Sequence, residues 1–167
     1  MRNRTQQVKD LDRIDRAILR ALQADGRMSI TDLADRVGLS VTPCSERVRR
    51  LERDGFILGY HARLNPQALG QHLLVFVELK LAAKSGPIFD EFRREVLRMP
   101  YVLECHLVSG EFDYLIKARI PEMAAYRKLL GDMLLALPQA RESRSYIVME
   151  EIKESLSLHL AEPQERG

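Results

Sequence analysis

SITDLADRVGLSVTPCSERVRRLERDG, running from Ser29 to Gly55, is the stretch whose reading decides the fold. Ser29 stands where a helix N-cap belongs, with Asp32 three residues on in the capping-box place. Ile30, Leu33, Ala34 and Val37 fall at i, i+3, i+4 and i+7, which draws one apolar stripe down a short helix. Gly38 then ends it, because glycine enters the left-handed conformation without a Cβ penalty. Thr42 precedes a proline and is pushed out of the helical region, so Thr42 reads as the next N-cap and Pro43 as the first helical residue. That leaves Gly38 to Val41 as the turn. On the second helix Cys44, Val48 and Leu51 make a narrow apolar stripe; Glu46, Arg49, Arg50 and Arg53 point away, and Arg47 sits on the flank. Two short helices joined by a tight turn, the second packed on one side and cationic on the other, form a helix-turn-helix.

The ordinary reading of an arginine run is a helix face turned to water. Four arginines between Arg47 and Arg53, with few salt-bridge partners nearby and a short polar N-terminal turn, favour a helix that enters the DNA major groove. On this reading Thr42, Ser45, Glu46, Arg47, Arg49 and Arg50 are the DNA-contact candidates. An arginine takes guanine bidentately, a glutamate accepts from a cytosine amine, and the remaining groups hold phosphates. Which arginine reads a base stays open.

Outward from the motif, Leu11, Ile14, Ile18 and Leu22 follow a helical period between Asp10 and Asp25, with Asp12 and Asp15 at the dipole-favoured end and Gly26 closing the helix. Residues 1–9 read as a flexible basic arm. After Gly55 the β-prone FILGYHARLN suggests a wing-like strand or hairpin, making this a winged helix-turn-helix domain over residues 1–65. A linker through Asn65-Pro66 to Gly70 occupies residues 66–71. Residues 1–65 carry 13 Lys and Arg against 9 Asp and Glu, whereas residues 66–167 carry 13 against 15. A basic first part followed by a slightly acidic second fits a nucleic-acid module joined to something that need not touch nucleic acid.

Residues 72–167 change pattern. Leu73 to Leu81 alternates, with Val75, Val77, Leu79 and Leu81 on one face and Leu74 and Phe76 apolar on the other. A helix is expected from Pro87 to Arg98, a strand from Val102 to Ser109, a turn at Ser109-Gly110-Glu111 and a returning strand from Phe112 to Ile120. A second helix follows from Glu122 to Leu137, its stripe made of Tyr126, Leu130, Met133 and Leu137. A last strand spans Ser143 to Glu154, after which Leu156, Leu158 and Leu160 alternate as if the extended chain continued. The order βαββαβ is the ferredoxin-like arrangement, giving an α+β protein with both helices on one face of the sheet. The other face, with Leu74, Phe76, Tyr146 and Val148, is too apolar to stay wet, so a dimer through this domain is expected. Such a dimer sets two recognition helices about 34 Å apart or a multiple of it.

The 167 residues, 46% hydrophobic, suffice for a real core, and no run approaches a bilayer span; the reading is a soluble cytoplasmic protein without a membrane partner. Cys44 and Cys105 belong to no metal-ligand spacing and read as reduced core thiols. An enzyme is the main rival, because Glu104, His106, Glu111 and Asp113 gather around one hairpin, yet no nucleophile with its base accompanies them and no Gly-rich phosphate loop is present. No catalytic residue, metal ligand or cofactor is assigned. A nucleoid-type architectural protein that wraps DNA with little sequence choice is a second rival.

DLDRIDRAIL from Asp10, VGLSVTPCSERVRRLERDGFILGY from Val37, LLVFVE from Leu73, ECHLVSGEFDYLIK from Glu104, AYRKLLG from Ala125 and YIVMEE from Tyr146 resemble the Lrp/AsnC, or feast/famine, transcriptional regulators. The resemblance runs without gaps from Asp10 to about Ser155. It implies a bacterial, nucleoid-associated regulator of amino-acid metabolism, binding double-stranded DNA through Thr42 to Asp54 and assembling as dimers that associate into octamers or larger discs. It also implies an amino-acid effector, leucine or a related one, bound between dimers. The implied effector residues are Leu107, Gly110, Glu111 and Asp113, with Met123, Tyr146, Ile147 and Val148 nearby. Glu111 stands where the family pattern has aspartate, and the tail after Ser155 departs from it. Physically, glycine's open backbone N–H groups suit the effector carboxylate, Asp113 or Glu111 the ammonium, and Leu107, Met123, Ile147 and Val148 an apolar slot. A local regulator answering to another amino acid is the alternative.

Overall fold

The computed structural model of the chain describes residues 11–83, 85–136 and 140–161. Among them residues 11–63 and 154–161 form one compact unit and residues 64–153 another. The basic arm at residues 1–9 lies outside the described residues. No helix among the described residues is long and apolar enough to cross a membrane.

The first unit holds α1 (Arg13–Ala24), α2 (Ile30–Val37) and α3 (Val41–Arg53). Asp12 and Asp15 close the first turn of α1 reciprocally: Asp12 Oδ1 accepts the Asp15 N–H at 2.7 Å and Asp15 Oδ2 accepts the Asp12 N–H at 3.3 Å. α1 ends on Asp25 in an extended conformation instead of on Gly26. Ser29 caps α2 by accepting the Asp32 N–H at 3.1 Å, and Gly38 terminates it at φ 72°.

Thr42 is not the cap of α3. That helix starts two residues earlier on Ser40, so the turn shortens to Gly38–Ser40 and Pro43 becomes the third helical residue. The first turn of a helix has no internal use for its N–H groups, so a proline there loses nothing. The first closing bond runs from the Cys44 N–H to the Ser40 carbonyl at 3.2 Å, and burial of Cys44, Val48 and Leu51 holds the preceding turn in register. These three join Ile18, Leu19, Ala21, Leu33 and Ala34 in the core.

Two expectations for this unit change. The wing segment forms no ladder among the described residues: the N–H groups of Phe56 and Ile57 both reach the Leu51 carbonyl, and Leu58 lies fully outside. Residues 154–161, assigned by the sequence to the second domain, lie with the first unit instead. Gln23 of α1 holds Leu158 by both amide atoms, accepting its N–H at 2.6 Å and donating to its carbonyl at 3.2 Å. Leu160 packs on the core beside Phe56 and Ile57, and Arg63 meets Glu154 at 3.5 Å. A leucine-alternating extended segment needs an apolar bed and backbone partners, and α1 supplies both.

The second unit contains β1 (Leu73–Leu81), α4 (Gly86–Val96), β2 (Val102–Leu107), β3 (Tyr114–Ile120), α5 (Met123–Ala136) and β4 (Ala140–Ile147). The strands lie in the order β2-β3-β1-β4, every neighbouring pair antiparallel, which is the expected ferredoxin-like sheet. Val75, Val77, Leu79 and Leu81 point to one face and are buried under Phe92 and Val96 of α4 and Tyr126, Leu129 and Met133 of α5. Leu129 joins that buried set while Leu130 is only partly covered, and Leu137 lies outside the described residues. Phe92 stacks on Tyr114 with centroids 3.8 Å apart. β4 begins and ends earlier than the expected Ser143 to Glu154. A bulge opposite Lys80 and Leu81 lets it start at Ala140, and it stops because β1 runs out, the Val148 N–H taking the Leu74 carbonyl at 2.9 Å. The opposite sheet face carries Phe76, Lys117 and Tyr146, the last 48% exposed.

Candidate DNA interface and effector site

Around α3 the side chains sort into three stripes. Cys44, Val48 and Leu51 face the core. Thr42, Glu46, Arg49 and Arg53, at i, i+4, i+7 and i+11, are exposed along one line, with Ser45 half-buried beside them. Arg47 and Arg50 turn toward the start of α1. Arg47 Nη1 lies 2.5 Å from Asp12 Oδ2 and 2.8 Å from Asp15 Oδ1, and Arg50 Nη2 lies 2.5 Å from the same Asp15 oxygen. Carboxylate partners, judged scarce from the sequence, are therefore supplied by a different helix. Burial alone pushes the Asp12 carboxyl up, but the Asp15 N–H and the Arg47 guanidinium outweigh it and hold the group below its ordinary value. Arg47 is pushed up by its hydrogen bonds to Asp12 and then Asp15.

Of the six DNA-contact candidates, the structure leaves Thr42, Glu46 and Arg49 open on the outward line and holds Arg47 and Arg50 in ion pairs. Arg53 extends that line and was not among the six; its spacing of four from Arg49 was the available signal. Asp12 and Asp15 were read only as dipole residues, since nothing local ties them to arginines 32 and 35 positions away.

In the second unit the eight effector candidates do not converge within one chain. Leu107, Gly110, Glu111 and Asp113 sit at the β2–β3 hairpin, at the end of the sheet where β1 finishes. Met123, Tyr146, Ile147 and Val148 sit at the end where β1 starts, as the pairs Leu73 with Ile120 and Val75 with Ile147 require. β2 and β4 are also opposite sheet edges. Three strand spacings across and three residues along put Leu107 and Tyr146 roughly 18 Å apart, beyond the reach of one amino acid.

The two carboxylates of the hairpin differ. Asp113 is 4% exposed, and its Oδ2 accepts the Leu81 N–H at 2.8 Å while its own N–H binds the Leu79 carbonyl, so it ties the hairpin to the end of β1. Glu111 is exposed and lines a shallow groove with Glu78, Lys80, Phe112, Glu142 and Arg144. Gly110, at φ 147°, has open space where a Cβ would stand. Leu107 and Met123 are exposed at 61% and 45%. Glu104 and His106, the remainder of the cluster weighed as catalytic, form a surface ladder: Glu104 binds Lys117 at 3.0 Å and His106 at 3.2 Å, and the Lys117 ammonium, then His106, hold its carboxyl low. Burial pushes the Cys105 thiol up to about 11 and the Cys44 thiol upward as well, so both stay protonated at neutral pH.

Comparison with known proteins places both units. Residues 11–57 match the family model of winged helix-turn-helix DNA-binding domains, and residues 74–158 match the Lrp/AsnC ligand binding domain. The leucine-responsive regulatory protein of Escherichia coli (strain K12) is 59% identical over 147 residues, 88% of this chain and 90% of that protein. A transcriptional regulator of Neisseria meningitidis, solved as a complex with L-Met, superimposes with a TM-score of 0.85 at 34% identity, covering 90% of this chain and 97% of that one. The feast or famine regulatory protein of M. tuberculosis complexed with L-methionine gives 0.82 at 36% identity over 89% and 99%. With both domain matches in order along one chain and this identity across most of its length, the chain belongs to the Lrp/AsnC family and is a DNA-binding transcriptional regulator.

Proposed function

We propose that this regulator reads its operator with the outward line of α3 and answers to an amino acid, leucine first, bound where two copies of the chain meet. Arg49 takes a guanine edge, with Glu46 and Ser45 on neighbouring bases and Thr42, Arg47 and Arg50 on phosphates. The observation that carries the effector half is the division of its candidate residues between the two ends of one sheet, which only a second copy reunites. Glu111, the open carboxylate, accepts the effector ammonium; the Gly110 turn receives its carboxylate; Leu107 of one copy and Met123, Tyr146, Ile147 and Val148 of another enclose its side chain. Asp113 holds the hairpin in shape for this purpose.

The uncovered sheet face, with Phe76 and Tyr146, makes the dimer, and the hairpins join dimers into octamers or larger assemblies. Bound amino acid then acts by favouring one assembly over another, which changes how many α3 helices reach one operator and hence the avidity. The setting is the cytoplasm, on the nucleoid. A second reading, in which methionine is the effector, draws on the L-methionine complexes of the Neisseria and M. tuberculosis proteins. Calorimetric titration with leucine and with methionine, followed by mobility shift on the same protein, tests both readings. The proposal expects one of them to bind and to alter operator affinity; binding of neither, with operator affinity unmoved, contradicts it.

A further inference from the structure

The geometry points to Asp15 as a positioning residue for DNA reading: a buried carboxylate on α1 that fixes Arg47 and Arg50 of α3 and, together with Asp12, cancels their charge, so that Arg49 carries the free positive charge of the recognition helix. This rests on the reading that α3 contacts the operator.

Asp15 is 1% exposed, the only carboxylate so deeply buried among the described residues of the first unit. A buried carboxylate is tolerated when paired and hydrogen-bonded, and here each oxygen is used, Oδ1 by both guanidiniums and Oδ2 by the Asp12 N–H. The arginine side chains keep 29% and 41% of their surface. Each guanidinium has five N–H donors in a rigid fork, so a pinned arginine still offers donors to a phosphate, in a fixed direction. Asp12, half exposed, adds a second carboxylate to Arg47. Two negative charges thus face two positive ones beside the outward line, where Arg49 meets no carboxylate among the described residues. The consequence is selectivity: unspecific attraction to phosphate scales with free cations, whereas base reading needs directed ones.

The test uses the full chain and two duplexes, one enriched from a random pool by the wild-type protein and one scrambled from it. Asp15→Asn keeps the size and removes the charge. Its binding to the scrambled duplex is expected to tighten about 3- to 10-fold at low salt, with the logarithmic salt slope steeper by about one to two, near 0.9 per released arginine. Preference for the enriched duplex is expected to fall about 10-fold. Asp12→Asn, which keeps an equally good N-cap, is expected to shift the same quantities less, through Arg47 alone, and serves if Asp15→Asn does not fold. Equal weakening on both duplexes at an unchanged salt slope, or no change in either variant, overturns the proposal. Arg49→Ala separates it from the reading beneath it: if that variant binds the enriched duplex as tightly as wild type, α3 reading itself fails.

Discussion

The two sites proposed for this molecule are built on opposite plans. The proposed DNA interface is carried by one helix, with its outward residues on a single line of period 3.6, and only the carboxylates that hold Arg47 and Arg50 come from outside its thirteen residues. The proposed effector site is scattered over a hairpin, a helix start and an edge strand, with its halves at opposite ends of a four-stranded sheet. A site on one helix is complete in every copy and gains only avidity from assembly. On the proposed reading a site divided in this way is incomplete in every copy, and the amino acid binds only by reporting on assembly.

The comparison is broken most severely by Phe92→Ala, which removes the ring stacked on Tyr114 at the centre of the second core. A loss of about 3–5 kcal/mol is expected there. Calorimetric unfolding should show the transition of the second unit shifted down while that of the first stays, with amino-acid response lost. Arg49→Ala attacks only the other plan: operator affinity falls about 10- to 100-fold by mobility shift, the loss of one bidentate guanine contact, and the sedimentation distribution does not move.

Within the hairpin the two carboxylates should part company. Asp113→Ala leaves the Leu81 N–H without its buried acceptor, lowering the stability of the second unit by about 1–3 kcal/mol in urea titration. Glu111→Gln leaves stability alone and weakens amino-acid binding about tenfold, read by calorimetry. The smallest effect is on acid stability. The folded-state carboxyls of Asp12 and Glu104 both lie below their ordinary values, so each stabilises its unit above the ordinary carboxylate range and loses that contribution as pH falls through the lowered one. Between about pH 5 and 3, urea midpoints should fall less steeply for Asp12→Asn in the first unit and for Glu104→Gln in the second than for wild type.

What the sequence disclosed follows the same division. The Ser29 cap, the Gly38 stop, the buried stripe of Cys44, Val48 and Leu51 and the βαββαβ order were all legible, because caps, periods and alternation are local. Thr42 misled because a local steric rule about the residue before proline gave way to packing of the turn behind it. The partners of Arg47 and Arg50 were illegible for a different reason: Asp15 lies on another helix, and only the crossing of α1 and α3 brings it near. The docking of Leu158 on Gln23 and the early end of β4 likewise depend on where other segments stop. The effector residues came from the family resemblance, and their division between two sheet ends became visible only with strand order and register.

The central claim, an effector site shared between two copies, is tested most directly by complementation. Glu111→Gln damages the hairpin end and Met123→Ala the other end, and each protein alone should bind the effector poorly. Unfolded together, refolded as mixed assemblies and titrated with leucine or methionine, they should recover about a quarter of the wild-type sites, because random pairing across a head-to-tail contact joins two intact halves that often. Mixed assemblies that bind no better than either variant alone would place the whole site within one chain and contradict the account.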